Sequence, residues 1–245
     1  VGELPFINHL FVQPASSDRG LPLGSALIEA MNTVEGVTVP NHVYFGPTYT
    51  DLDHRNTLDV SGLKYQRLEN PSLTGAKLLA EGKIIAWYQG RSEFGPRALG
   101  NRSILADPRR SSTRDAINAR IKFREEFRPF APAILEEEAQ TIFYVNNPSP
   151  YMTSTFSVRP SWIEKLGAVT HVDGTARVQT VHKDVNPRFY NLIKEFGNLT
   201  GVPVVLNTSF NARGEPIVET PANALATFYS VGLDALILGD YLVLK

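Results

Sequence analysis

Between Arg91 and Arg128 the chain carries ten cationic side chains, nine of them arginine, against five acidic ones. That local surplus of +5 sits in a protein whose formal net charge is only -1. The planar fork of arginine matches the paired oxygens of a phosphate or carboxylate better than a lysine ammonium does. Most charge runs are solvated helix faces. Here glycine and proline interrupt the run, which a surface helix does not tolerate. The densest part is Gly90 to Ser103, GRSEFGPRALGNRS, with three glycines among Arg91, Arg97 and Arg102. Glycine frees a backbone to turn and to aim N–H groups at an anion. No Gly-Lys-Ser/Thr comes after it and the glycine spacing is not that of a dinucleotide fingerprint, so neither familiar phosphate loop applies.

Three further segments hold chemistry. In Asn118 to Pro132, Lys122 and Arg124 stand two apart, with Arg128 beyond them. On an extended segment the pair would share one side as a two-pronged clamp, with Phe127 and Phe130 in the core. After the apolar run Val202 to Leu206, the residues Asn207-Thr208-Ser209-Phe210-Asn211 form a neutral lip of amides and hydroxyls suited to phosphate or ribose oxygens. In His171 to Gln179, Arg177 and Gln179 alternate onto one strand face, while His171 is a ligand, a base or, most commonly for such a residue, a satisfied core histidine. Asp18 lies in Ser-Ser-Asp-Arg-Gly at a helix start, by default a capping position. The five histidines do not pair at metal-ligand spacing, which argues against a self-contained zinc or iron site. A Gly-x-Ser-x-Gly hydrolase elbow is absent.

These groups need a scaffold, and 245 residues at 42% hydrophobic composition can bury one substantial core. The chain has no cysteine, which suits a reducing cytoplasm. No apolar run approaches the ~20 residues of a membrane span, so a cytoplasmic location without a membrane partner is the expectation. Apolar periodicity predicts helices over 23–31, 72–81, 136–143, 187–196 and 221–230, and one from a Ser111 or Ser112 cap to Phe123. Strands are predicted at 10–12, 84–88, 104–105, 130–135, 151–158, 202–206, 235–238 and 241–244, with a bent strand or hairpin over 171–181. Gly46 to Pro71 reads as an irregular connection between domains, carrying at most a short helix. One strand and one helix before it cannot bury their own faces, so they belong to a domain lying largely elsewhere or dock on the later elements of the chain. The expected class is α/β with a mixed twisted sheet.

Taken in order, WYQGRSEFGPRALGNRSILADPR, INARIKFREEFRPFAPAI, SPYMTSTF, HVDGTARVQTV and GVPVVLNTSFNARGEPIVETP resemble the O-carbamoyltransferases typified by nodulation protein U and the antibiotic-tailoring carbamoyltransferases. The resemblance implies a YrdC-like domain over 72–245. A connection at 51–71 and, over 1–50, the end of an actin/hexokinase-type ATPase-like transfer domain would precede it. It also implies that ATP, with Mg2+, and carbamoyl phosphate are converted to carbamoyl-adenylate, and that the preceding domain moves the carbamoyl group to a hydroxyl of a small-molecule acceptor. By the same resemblance Lys122-Phe123-Arg124 and Thr208-Ser209-Phe210-Asn211 loosely match the family's clamp and lip. Lys122, Arg124 and Arg97 become the catalytic candidates, and Arg91, Arg102, Arg128, Arg177, Thr208, Ser209 and Asn211 the candidates for ATP and substrate. Asp18 aligns with an aspartate that helps hold Fe2+ in the transfer domain, whose histidine ligands do not occur in this sequence. Two rival readings share the fold: an RNA-binding module, disfavoured by the neutral overall charge, and a threonylcarbamoyl-adenylate synthase. Trp162 and the N-terminal elements leave a homodimer open.

Overall fold

Alternation decides the architecture. Along Ile84 to Tyr88 every residue is buried, yet successive side chains enter two different cores, with Ile85 and Trp87 on one side and Ala86 and Tyr88 on the other. A strand buried on both faces belongs inside a sheet covered by helices on both sides. The structure, a computed structural model, describes residues 11–39, 41–125 and 128–245. In chain order the regular elements are α1 (Leu21–Thr33), α2 (Asp51–Ser61), β1 (Gln66–Arg67), α3 (Pro71–Ala80), β2 (Ile85–Tyr88), β3 (Arg102–Ala106) and α4 (Ser111–Ile117). They continue with β4 (Ala131–Leu135), α5 (Ala139–Ile142), β5 (Phe156–Ser157), α6 (Pro160–Ile163), β6 (Thr175–Ala176) and β7 (Gln179–Val181). The last are α7 (Pro187–Thr200), β8 (Val204–Ser209), α8 (Pro221–Ser230), β9 (Ala235–Leu238) and β10 (Tyr241–Leu244).

Eight strands form one sheet in the order β1-β10-β9-β2-β3-β8-β4-β7. β2 runs parallel to β9 and β4 parallel to β7, and the other neighbours are antiparallel, so the sheet is mixed. One face is closed by α3 and α7, whose Leu79, Phe189, Leu192, Ile193 and Phe196 pack on Trp87, Leu105, Val205 and Ile237. The other receives Leu58 of α2, Ile117 of α4, and Leu225 and Phe228 of α8. Burying a side chain of that size stabilises by about 1.5–3 kcal/mol. The helix starts are chemically written. Asn70, Asn186 and Thr220 cap α3, α7 and α8 through side-chain oxygens, each with proline in the first turn.

Several expectations change in detail. The 46–71 stretch is more than a connection, because α2 sends Leu58 into the core and β1 adds an edge strand on β10. Phe11 and Val12 form no strand, and the Leu10 end of that predicted strand lies outside the described residues. Of the predicted 151–158 strand only β5 is regular. The predicted 171–181 hairpin is divided, since β6 pairs with β5 in a small sheet while β7 joins the main one. Arg110, not a serine, precedes α4, without a side-chain cap. α7 passes through Gly197, where a Cβ would sit 3.1 Å from Pro203, and ends instead at left-handed Gly201. Among the described residues α1 contributes no buried side chain, and no helix is long and apolar enough to cross a membrane.

Candidate functional site

α4 does not run on to Phe123. It passes into a wider π-helical turn, Asn118–Lys122, which closes on Phe123 in the left-handed conformation at φ 45° and ψ 53°. Lys122 and Arg124 are therefore not neighbours along an extended segment, which corrects the sequence expectation. Reversal of the chain at Phe123 brings both toward the end of β8 by another route. Lys122, Arg124 and Arg128 line a cavity of about 510 Å³ with Thr208, Ser209 and Asn211. The lip begins within the strand itself, since β8 extends through Ser209. Two separately predicted stretches thus meet in one hollow.

Lys122 is buried, and its Nζ donates to four oxygens: Ser209 O at 2.7 Å, Ser209 Oγ at 3.3 Å, Asn211 O at 3.0 Å and Asn211 Oδ1 at 2.9 Å. It thereby pins the lip in place. Burial, and next the Arg124 guanidinium, lower its pKa to about 7. Arg124 donates from Nε to Asn118 Oδ1 at 2.9 Å, and its Cζ lies 4.5 Å from the centre of the Phe130 ring. Burial and then Arg128 depress its pKa. Arg177 is half-buried, and its Nε has no hydrogen-bond partner among the described residues. Burial, then Arg97, then Arg124 bring its pKa down to about 10. Arg97 is exposed, and neither it nor Arg177 is among the residues that line the cavity, so the predicted meeting of Arg97 with Lys122 and Arg124 is not seen there. Among the described residues none of Arg97, Lys122, Arg124 or Arg177 has a carboxylate within 4.0 Å. Arg128 is exposed and 3.9 Å from Glu125.

Arg91 and Arg102 fall elsewhere. Arg91 is exposed and ties down the preceding segment, its Nε on Gly46 O and its Nη2 on Phe45 O, both at 3.0 Å. Arg102 is 0% exposed. It lies on the Tyr88 ring at 3.7 Å, and its Nη1 donates to the carbonyls of Gln89, Gly90 and Asn101 at 2.7, 3.2 and 3.1 Å. A fully buried cation so fastened cannot receive a soluble phosphate. The glycine loop corrects a further expectation. Its N–H groups converge on the carboxylate of Glu93, whose Oε1 accepts from Leu99, Asn101 and Arg102 at 2.7, 2.8 and 3.3 Å. The anion in that nest is the protein's own, and burial raises the Glu93 pKa against those donors. Gln89, Asn101 and Asn186 complete the lashing of this loop to α7.

Gln179 is buried rather than presented: it donates to Leu99 O at 2.8 Å and accepts from Asn207 at 2.9 Å. His171 pairs with Thr175, as a satisfied histidine does. Asp18 is exposed in a short 3-10 turn, and among the described residues no three His, Cys, Asp or Glu side chains gather to hold a metal. Those residues do not fit an Fe2+ centre. Sequence reasoning missed Glu93 and Arg213. The first was visible as the lone acid among three arginines. The second, which lines the cavity and donates to Phe123 O at 2.9 Å, was visible as an Ala-Arg-Gly turn just past the lip.

The fold is a mixed α/β domain whose cavity is lined by the cations Lys122, Arg124, Arg128 and Arg213 and the polar residues Thr208, Ser209 and Asn211. The sequence led to the expectation of a YrdC-like domain, and the fold agrees. Full-length HypF in the phosphate- and nucleotide-bound form aligns with a TM-score of 0.50 at 20% identity, over 71% of this chain and 25% of that chain. The chain belongs to the carbamoyltransferase C-terminus family, whose model matches residues 76–245. Nodulation protein NolNO of Sinorhizobium fredii is 46% identical over 246 residues, covering 96% of this chain and 36% of that protein. The 3'-hydroxymethylcephem-O-carbamoyltransferase of Amycolatopsis lactamdurans is 40% identical over 240 residues, covering 97% of this chain and 44% of that protein. The chain thus spans less than half the length of these curated relatives.

Proposed function

We propose that this chain is the nucleotide-activating part of an ATP-dependent O-carbamoyltransferase, gripping ATP and carbamoyl phosphate in the Lys122–Arg124–Ser209 recess and forming carbamoyl-adenylate. In this reading residues 72–245 are the activating domain, 51–71 lead into it, and 1–50 close a transfer domain that carries the acceptor hydroxyl's site. One observation carries the reading. Lys122, Arg124, Arg128 and Arg213, from two separate stretches, line one cavity beside Thr208, Ser209 and Asn211, and the Arg124 guanidinium opposes the charge of Lys122. Like charges held together cost stability unless a counter-charge arrives.

The chemistry asks for such a recess. Water releases inorganic phosphate from carbamoyl phosphate, and a carbamate oxygen then bonds to the α-phosphorus of ATP. The bond from that phosphorus to the bridging oxygen breaks, and pyrophosphate leaves with the electron pair. Negative charge grows on the α-phosphoryl and pyrophosphate oxygens, and fixed guanidiniums stabilise it without a covalent nucleophile. Mg2+ arriving with ATP would neutralise part of the triphosphate charge. Ser209 and Asn211 offer neutral hydrogen bonds at the rim, and Lys122 holds them there.

The deciding measurement is carbamoyl-phosphate-dependent exchange of pyrophosphate into ATP by the longer protein that contains this chain. Arg124→Ala should lower it at least 100-fold, as removal of a transition-state donor does. Undiminished exchange in that variant refutes the clamp. Exchange supported by threonine plus bicarbonate, with none from carbamoyl phosphate, would move the protein to the threonylcarbamoyl class.

A further inference from the structure

Phosphate recognition accounts for Lys122 and Arg124 but not for the residue between them. Phe123 lines the same cavity and keeps 52% of its surface exposed; among the described phenylalanines only Phe11 exposes more. Its backbone is left-handed, a conformation that bulky L-residues avoid and that persists only where the surroundings enforce it. Four contacts on Phe123 and its two neighbours hold it here. The π-helical turn closes with the Phe123 N–H on Asn118 O. Arg213 holds the Phe123 carbonyl at 2.9 Å. On either side, Lys122 is fixed to the lip and Arg124 to Asn118. The Phe123 backbone is therefore held in place, and its half-exposed ring belongs to the same cavity as Lys122, Arg124, Arg128 and Arg213. A ring so placed has no use for inorganic phosphate, which has no flat apolar face.

We infer that Phe123 is the stacking platform for the base of the nucleotide whose phosphates the adjacent cations hold. The inference rests on the polyphosphate reading of the recess and adds what distinguishes a nucleotide from any other polyanion. Every base has a π-face, so stacking on a phenyl favours nucleotides over inorganic polyphosphate without choosing adenine over guanine. Electrostatic grip and base stacking are thereby divided between neighbouring residues of one tripeptide.

The test is calorimetric titration of the 245-residue chain with ATP, GTP and inorganic tripolyphosphate, in the wild type, Phe123→Leu and Phe123→Trp. Leucine keeps the apolar bulk and loses the flat ring, and tryptophan restores it. Phe123→Leu should weaken ATP and GTP about tenfold and leave tripolyphosphate within about twofold. Phe123→Trp should recover nucleotide affinity and show indole quenching, relative to the wild-type background, with ATP but not with tripolyphosphate. Unchanged ATP affinity in Phe123→Leu, or equal losses for ATP and tripolyphosphate, overturns the stacking role while leaving the phosphate site intact. A wild type that binds neither ligand overturns both readings.

Discussion

Lys122 makes the pH dependence of ligand binding a sharp test of the recess. In the free protein its ammonium titrates near pH 7, because burial and the Arg124 guanidinium both oppose the charge. A polyphosphate bound beside it supplies the missing counter-charge and returns the pKa toward the ordinary 10.5. Between those values each binding event takes up a proton. Affinity is then highest below pH 7 and falls about tenfold per pH unit above it. From pH 7.5 to 9.0 the Kd for ATP should rise roughly 20–30-fold. The last ionisation of a phosphate lies near 6 and does not distort that window. Isothermal titration in buffers of different ionisation enthalpy measures the proton directly, and Lys122→Met should abolish both slope and uptake. The same shift has the opposite sign for stability. Unfolded chain binds more protons than folded chain between pH 7 and 10.5, so the unliganded fold should gain up to about 1.4 kcal/mol per pH unit there. A Kd that stays flat between pH 7.5 and 9.0, with no buffer-dependent heat, would refute the placement of Lys122's charge beside the ligand.

Two further outcomes concern the loop that carries Arg97. Arg102→Met removes three hydrogen bonds to the carbonyls of Gln89, Gly90 and Asn101, the first and last of them buried; thermal denaturation should show a loss of about 3 kcal/mol, or roughly 6–12 °C in Tm. Gly100→Ala places a Cβ 2.2 Å from Phe189 at a φ of 104°. Overpacking against a fixed ring and an unfavourable backbone should together cost at least about 2 kcal/mol by urea denaturation, and a wild-type midpoint would show that α7 yields instead.

The helices α3, α7 and α8 and the central strands were legible in the residues themselves, whereas α2 was read as part of a connection. Pro221–Ser230, Ala235–Leu238 and Tyr241–Leu244 fall where the apolar periodicity put them, because that signal acts within a few residues of chain. The sequence also singled out two segments, that of Lys122, Arg124 and Arg128 and the polar lip at the end of β8, that the fold brings to one cavity, whereas the arginines among the glycines do not line it. What the sequence could not assign was which arginine lines the cavity. Arg91, Arg97 and Arg102 share one loop, yet the first straps Phe45 and Gly46, the second is exposed outside the cavity lining and the third is sealed against Tyr88. The spacing of Lys122 and Arg124 suggested an extended clamp, whereas a π-helical turn and a left-handed Phe123 aim them. Local sequence sets residue type and periodicity. The direction of a long side chain is set by partners far along the chain, such as Glu219 beside Arg102 and Ser209 beneath Lys122, and only the closing of the sheet brings those partners within reach.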